Sequence, residues 1–215
     1  MLILASSSPR RSELLRNARI VFKVIAAEVA EVPDGNESPR DFAQRAARDK
    51  ARAVYQQMPS ASRSSNLVLA ADTVVVVDGA ILGKPADEQD AARMLRLLSG
   101  RSHQVITGVC LIGAQSDAST PEDRKGSRKP KTGNQKLEPV FEDVSSEITN
   151  VYFNPLSDAD INEYIATGEP MDKAGAYAIQ GVASRWIPRI EGCYFNVVGL
   201  PVPLVCRMLR EHGKL

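Results

Sequence analysis

Apolar residues recur along the chain in two rhythms, one of a helix and one of a strand, separated by turn-forming clusters. Residues 1–5 make a short apolar run, Ser6-Ser7-Ser8-Pro9 supplies turn chemistry, and Leu14 with Leu15 gives residues 10–17 a buried helical edge. Ser8 stands as N-cap and Pro9 as first helical residue. A second helix is predicted from Ser38 to about Gln57, because Ser38-Pro39-Arg40-Asp41 joins a cap, a proline at the first position and an acid at the third. A third follows Asp87, with Ala91, Met94, Leu95 and Leu98 at helical spacing and Gly100 past its end. A fourth starts at Ser157, puts Ile161, Tyr164 and Ile165 on one face and stops at Gly168, and residues 201–212 form a last one. Strand-like runs cover 67–77, 81–82 after an Asp78-Gly79 turn, 105–112, 140–153 and 194–198. The two kinds alternate without a regular strand–helix–strand period, so an α/β fold with a mixed sheet is expected, not a doubly wound parallel one.

From 113 to 139 the pattern collapses into Gly, Ser, Pro and charge, with Leu137 the only large apolar residue, and the stretch reads as a mobile insertion between two strands. The length of 215 residues accommodates one large domain or two small lobes. Lys and Arg total 27 against 26 for Asp and Glu, so no global field gathers nucleic acid or anionic membrane, and any affinity for phosphate must be local. No apolar run approaches the roughly 18 residues of a span, which makes the cytoplasm the expected setting. Three scattered cysteines fit a reducing compartment, two distant histidines give a zinc site little to build from, and no G-x-S-x-G elbow accompanies a Ser-His-Asp triad.

Four constellations carry chemistry. Ser6-Ser7-Ser8-Pro9-Arg10-Arg11 sets hydroxyls and two guanidiniums at a helix N-terminus, a phosphate cradle or else a capped surface helix with two solvated arginines. It is not a P-loop, since G-x-x-x-x-G-K-[ST] is absent. Lys50 falls inside the apolar arc of its helix, with Phe42, Ala43, Ala46, Ala47, Ala53 and Val54, and either snorkels past its neighbours or reaches through the helix–sheet interface towards an anion. Asp72 interrupts the apolar strand 67–77, where a carboxylate is costly unless it meets a cation, a metal or several donors. The small residues of 168–181 surround Lys173, Tyr177 and Gln180, as expected where backbone passes close to a ligand, although composition alone describes a glycine-rich turn into a strand. Glu31, Lys84 and Asp172 are bland taken singly.

Together these stretches resemble the Maf family of nucleoside triphosphate pyrophosphatases. The resemblance is carried by Ala5-Ser6-Ser7-Ser8-Pro9-Arg10-Arg11, Ala71-Asp72-Thr73-Val74-Val75, Gly83-Lys84-Pro85, Leu98-Ser99-Gly100-Arg101-Ser102-His103, residues 168–181 and Val198-Gly199-Leu200-Pro201, in family order over nearly the whole chain. It implies one domain over 1–215, two lobes around a cleft, with a mixed elongated sheet flanked by helices as in inosine-triphosphate pyrophosphatases. It also implies a cytoplasmic homodimer that needs Mg²⁺ or Mn²⁺ and cuts a nucleoside triphosphate between its α and β phosphates. Lys173-Ala174-Gly175-Ala176-Tyr177 with Ile179-Gln180-Gly181 is similar to the branch acting on dTTP and UTP.

Carried over by position, Asp72 matches the proton acceptor, and Arg10, Thr73 and Gln180 the positions associated with substrate choice. Glu31, Lys50 and Lys84 match charged positions around the phosphates. The expected catalytic set is Asp72, Lys84 and Lys50, with Ser8, Arg10, Arg11, Thr73, Lys173 and Gln180 binding substrate and Asp72 with Glu31 holding the cation. Asp72 serves as base, as metal ligand, or as both. The chain departs from the family pattern in the long 113–139 connection and in Val182-Ala183-Ser184-Arg185-Trp186, where glycine is common. A nucleotide-binding regulator of cell division with little turnover is the competing class.

Overall fold

The computed structural model describes residues 1–27, 29–30, 32–35, 37–114 and 141–215. The expected insertion therefore lies, from residue 115 onward, outside the described residues, as does Glu31. The sheet order is β2 (Phe22–Val24), β1 (Leu2–Leu4), β3 (Leu67–Val77), β5 (Ser102–Gly113), β6 (Phe141–Tyr152) and β7 (Arg189–Glu191), with β4 (Ala80–Leu82) paired to β3. β2, β1 and β3 run parallel, and the remaining pairings are antiparallel. Among the described residues this is the expected mixed sheet, seven strands flanked by helices.

β3 is apolar on both faces because both faces are covered. Leu67, Leu69, Ala71, Val75 and Val77 point into the larger core, shared with α1 (Pro9–Asn17), α4 (Glu88–Leu98), α5 (Asp158–Ala166) and α7 (Val202–Glu211). Val68 and Ala70 meet Ala47, Ala51, Val54 and Tyr55 of α2 (Pro39–Gln57). The Ser38 hydroxyl starts α2 by accepting from the Asp41 amide at 3.2 Å and donating to its carboxylate at 2.7 Å, a cap whose loss costs about 1 kcal/mol. α2 crosses the sheet where β5 carries Gly108. A Cβ there would stand 2.1 Å from the Ala43 carbonyl oxygen.

Two expectations fail locally. Residues 194–198 form a short helix, α6 (Tyr194–Val198), instead of a strand. Their aromatic and β-branched content favours extended structure, but Asn196 is buried and donates through Nδ2 to the Val105 carbonyl and Thr149 Oγ1, and this tertiary anchoring overrides propensity. Residues 168–181 lead into no strand and wind through 3₁₀ turns at Glu169–Asp172 and Ala174–Ala176. A third, Val182–Trp186, follows. β2 and β7, three residues each and largely exposed, escaped the pattern reading altogether. A short α3 (Ser60–Arg63) adds little.

Candidate active site

A gap in the sheet positions the site. β1 pairs with Leu67–Leu69 of β3 and β4 with Val75–Val77, so residues 70–74 have no ladder partner on that edge among the described residues. The gap lies beyond the carboxyl end of a parallel strand, where ligands enter open α/β sheets. Because side chains alternate along a strand, Asp72 leaves on the α2 face and Thr73 on the opposite one, yet both border the same cavity of about 330 Å³.

On the α2 face, Lys50 is 7% and Asp72 4% exposed. Lys50 Nζ donates to Asp72 Oδ1 at 2.6 Å. The lysine on the apolar stripe thus reaches an anion across the helix–sheet interface, and the anion is the buried strand acid. A charge this buried is costly unless it is paired and hydrogen-bonded. Asp72 Oδ2 has no hydrogen-bond partner among the described residues.

On the other face, Arg11 sews three segments together. Its Nε donates to the Gly199 carbonyl at 2.8 Å, Nη1 to Ser6 Oγ at 3.1 Å and Nη2 to Thr73 Oγ1 at 3.2 Å. Thr73 Oγ1 is also 3.0 Å from Thr107 Oγ1, directly opposite it in the β3–β5 register, and Thr107 Oγ1 lies 3.2 Å from the Asn196 carbonyl. Ser8 is the N-cap of α1 but makes no side-chain capping bond. Its amide donates instead to Ser6 Oγ at 3.2 Å. Arg10 lies 3.5 Å from Asp172, which Lys173 also contacts. Partial burial would raise the Asp172 carboxyl, but the Lys173 hydrogen bond and the nearby Arg10 charge bring it below its ordinary value.

The structure brings Ser8, Arg10, Arg11, Lys50, Asp72, Thr73, Lys84, Lys173 and Gln180 around this one cavity. Among the described residues, five basic side chains and two carboxylates border it, a local excess of positive charge in a chain of net charge +1. Such a lining suits a compact polyanion.

The chain is similar to known proteins over nearly its whole length. The family profile described as "Maf-like protein" matches residues 1–212. A dTTP/UTP pyrophosphatase of Koribacter versatilis (strain Ellin345) is 52% identical over 214 residues, covering 100% of this chain and 95% of the relative. Proteins of the same name from Symbiobacterium thermophilum and Syntrophomonas wolfei are 48% and 45% identical, covering 99% and 98% of this chain and 94% and 96% of theirs. The chain belongs to the Maf family.

Sequence reasoning missed part of this Maf pocket's frame. Thr107 gave no signal, since it faces Thr73 only through a pairing 34 residues long in sequence. Tyr177, which the sequence already set among the small residues of 168–181, borders the cavity, and its hydroxyl is 2.8 Å from Nε2 of His103, itself 3% exposed. Burial raises the Tyr177 phenol and lowers the His103 imidazole to about 4, so both are neutral near pH 7. No group of three His, Cys, Asp or Glu side chains that could enclose a metal ion occurs among the described residues. The donor set of the Maf pocket still fits Mg²⁺, which is commonly held by one or two carboxylates plus substrate phosphates, with Asp72 as the carboxylate at hand.

Proposed function

We propose that this Maf-family chain hydrolyses dTTP and UTP to the nucleoside monophosphate and pyrophosphate. The observation that carries the reading is the buried Lys50–Asp72 pair at the sheet gap, bordered by Arg10, Arg11, Lys84 and Lys173 in one cavity. The names of its full-length relatives, dTTP/UTP pyrophosphatase, support the choice of substrate.

In this reading the triphosphate lies along the basic lining, where guanidinium forks and ammonium groups offset its negative charge. Asp72, oriented by Lys50, accepts a proton from a water molecule as the water oxygen attacks the α-phosphorus. The new P–O bond forms as the α–β bridging P–O bond breaks, and the electron pair leaves on pyrophosphate. Lys84 and Lys173 neutralise charge growing on that leaving group. The proton on Asp72 returns to solvent. A divalent cation, held by Asp72 and by Glu31 as the resemblance implies, would add charge neutralisation at the phosphoryl oxygens.

No described helix is long and apolar enough to cross a membrane, and the proposed setting is the cytoplasm. The homodimer implied by the resemblance is checked by light scattering. Product analysis tests the reaction: incubation with dTTP and Mg²⁺ or Mn²⁺ should release one pyrophosphate per dTMP. Orthophosphate together with dTDP would place the cut at the γ-phosphate and overturn the reading. Nucleotide binding without turnover would favour the regulator.

A further inference from the structure

Gln180 sits at the corner of a tight turn. The Gly181 amide donates to the Ala178 carbonyl at 3.0 Å, which leaves Ile179 and Gln180 as the two central residues. Both border the cavity. A turn tip carrying an exposed side chain needs outside support to hold that side chain in one orientation, and here both flanks have it. On one flank the Ala178 amide donates to Tyr164 Oη at 3.1 Å. On the other the Val182 amide donates to the Glu169 carboxylate, 3.2 Å from Oε1 and 3.4 Å from Oε2.

Tyr164 Oη in turn donates to Glu169 Oε1 at 2.7 Å, so one phenol and one carboxylate join the flanks into a clamp. Burial, then the hydrogen bond to Glu169, raises the Tyr164 phenol above its ordinary value and keeps it a donor. The fit is close: a Cβ on Gly181 would stand 2.2 Å from Glu169 Oε1. The backbone of Glu169 has a separate task, its carbonyl accepting from Lys173 Nζ at 3.3 Å.

We propose that Glu169 is a positioning residue for substrate selection, its carboxylate fixing the Ala178–Val182 turn so that Gln180 presents its amide to the pyrimidine in one orientation. The inference rests on the proposed dTTP/UTP reading and adds the residue that sets its precision. Because the carbonyl that holds Lys173 survives any side-chain change, removal of the carboxylate loosens the base end and leaves the phosphate end in place. Selectivity and KM therefore move more than kcat.

The test compares dTTP and CTP hydrolysis, with thermal unfolding as the check on folding. In Glu169→Ala the dTTP-over-CTP preference in kcat/KM falls about tenfold, the size of a lost charge-assisted hydrogen bond, while kcat for dTTP stays within about threefold. Glu169→Gln keeps an Oε1 acceptor for both Tyr164 and Val182 and restores the preference. Gly181→Ala drives a methyl group into the carboxylate and reproduces the loss with every pocket side chain retained. It reads the same displacement should Glu169→Ala fail to fold. Combined with Glu169→Ala it adds nothing further, because the clash is gone. Gln180→Ala separates the two levels of the reading. If it leaves the preference unchanged, base reading at this turn is wrong and the clamp's role falls with it. If it abolishes the preference while folded Glu169→Ala keeps it, the Glu169 inference alone is overturned.

Discussion

Lys50 Nζ stands 2.6 Å from Asp72 Oδ1, and the two side chains are 9% and 6% exposed. A pair this buried is held by mutual compensation: breaking it by removing one charge typically costs about 3–5 kcal/mol, whereas replacing both partners is often neutral. Catalytic and structural roles of Asp72 therefore separate in a double substitution. Asp72→Asn is expected to lose roughly 10² to 10⁴ in turnover and to unfold at lower urea. Lys50→Met combined with Asp72→Asn should regain stability without regaining activity. Recovery of both, or near-normal turnover in Asp72→Asn, would remove Asp72 from the chemistry.

The adjacent arginines of α1 divide the labour. Arg11 donates to Gly199, Ser6 and Thr73 on separate segments among the described residues, and an ammonium cannot span that fork. Arg10 makes an exposed contact at 3.5 Å to Asp172, a kind of pair worth about 0–1 kcal/mol. Arg11→Lys is expected to destabilise by about 1–3 kcal/mol and to cut kcat/KM by more than tenfold. Arg10→Lys should leave unfolding unchanged and raise KM alone. Equal unfolding midpoints for the two variants would contradict this division.

The parts legible in the sequence are those fixed by local physics. The limits of β3, the caps of α2 and α5 and the apolar stripe of α2 all follow from residues within a few positions of one another. Lys50 and Asp72 stood out because each offends its own pattern, a lysine in an apolar arc and an acid in an apolar strand. The site's supporting groups offend nothing. Thr107 is ordinary in a strand and Glu169 ordinary after a glycine, and their importance arises from register and turn geometry that no short window contains. Residues 194–198 misled for the opposite reason, a strong local preference overruled by the buried contacts of Asn196.

His103 gives the fold a pH dependence of known sign. Burial lowers its imidazole from 6.5 to about 4, and its Nδ1 has no partner among the described residues. Between those values the unfolded chain binds a proton that the native state refuses, so the contribution is full above pH 6.5 and is lost as pH falls towards 4, by at most roughly 3 kcal/mol. Urea unfolding at a series of pH values should show His103→Gln with a shallower decline than the unaltered chain over that window. Parallel curves would assign the acid sensitivity to other groups.

Base choice is the sharpest test of the pocket. Uracil and thymine present an N3–H donor beside an O4 acceptor, and a glutamine amide, as proposed for Gln180, can answer both, its carbonyl accepting and its NH₂ donating. Cytosine inverts both groups, so an amide held in one orientation leaves polar groups unpaired against CTP. Gln180 is exposed and borders the same cavity as the basic side chains proposed to hold the phosphates. Gln180→Glu removes the donor to O4 and adds repulsion, while offering cytosine's amino group a new acceptor. Hydrolysis of dTTP and UTP is expected to fall about tenfold or more relative to CTP, measured as the ratio of kcat/KM values. A uniform drop across the three nucleotides would put Gln180 with the phosphates or the scaffold, and selectivity would then have to come from Arg10 and Thr73.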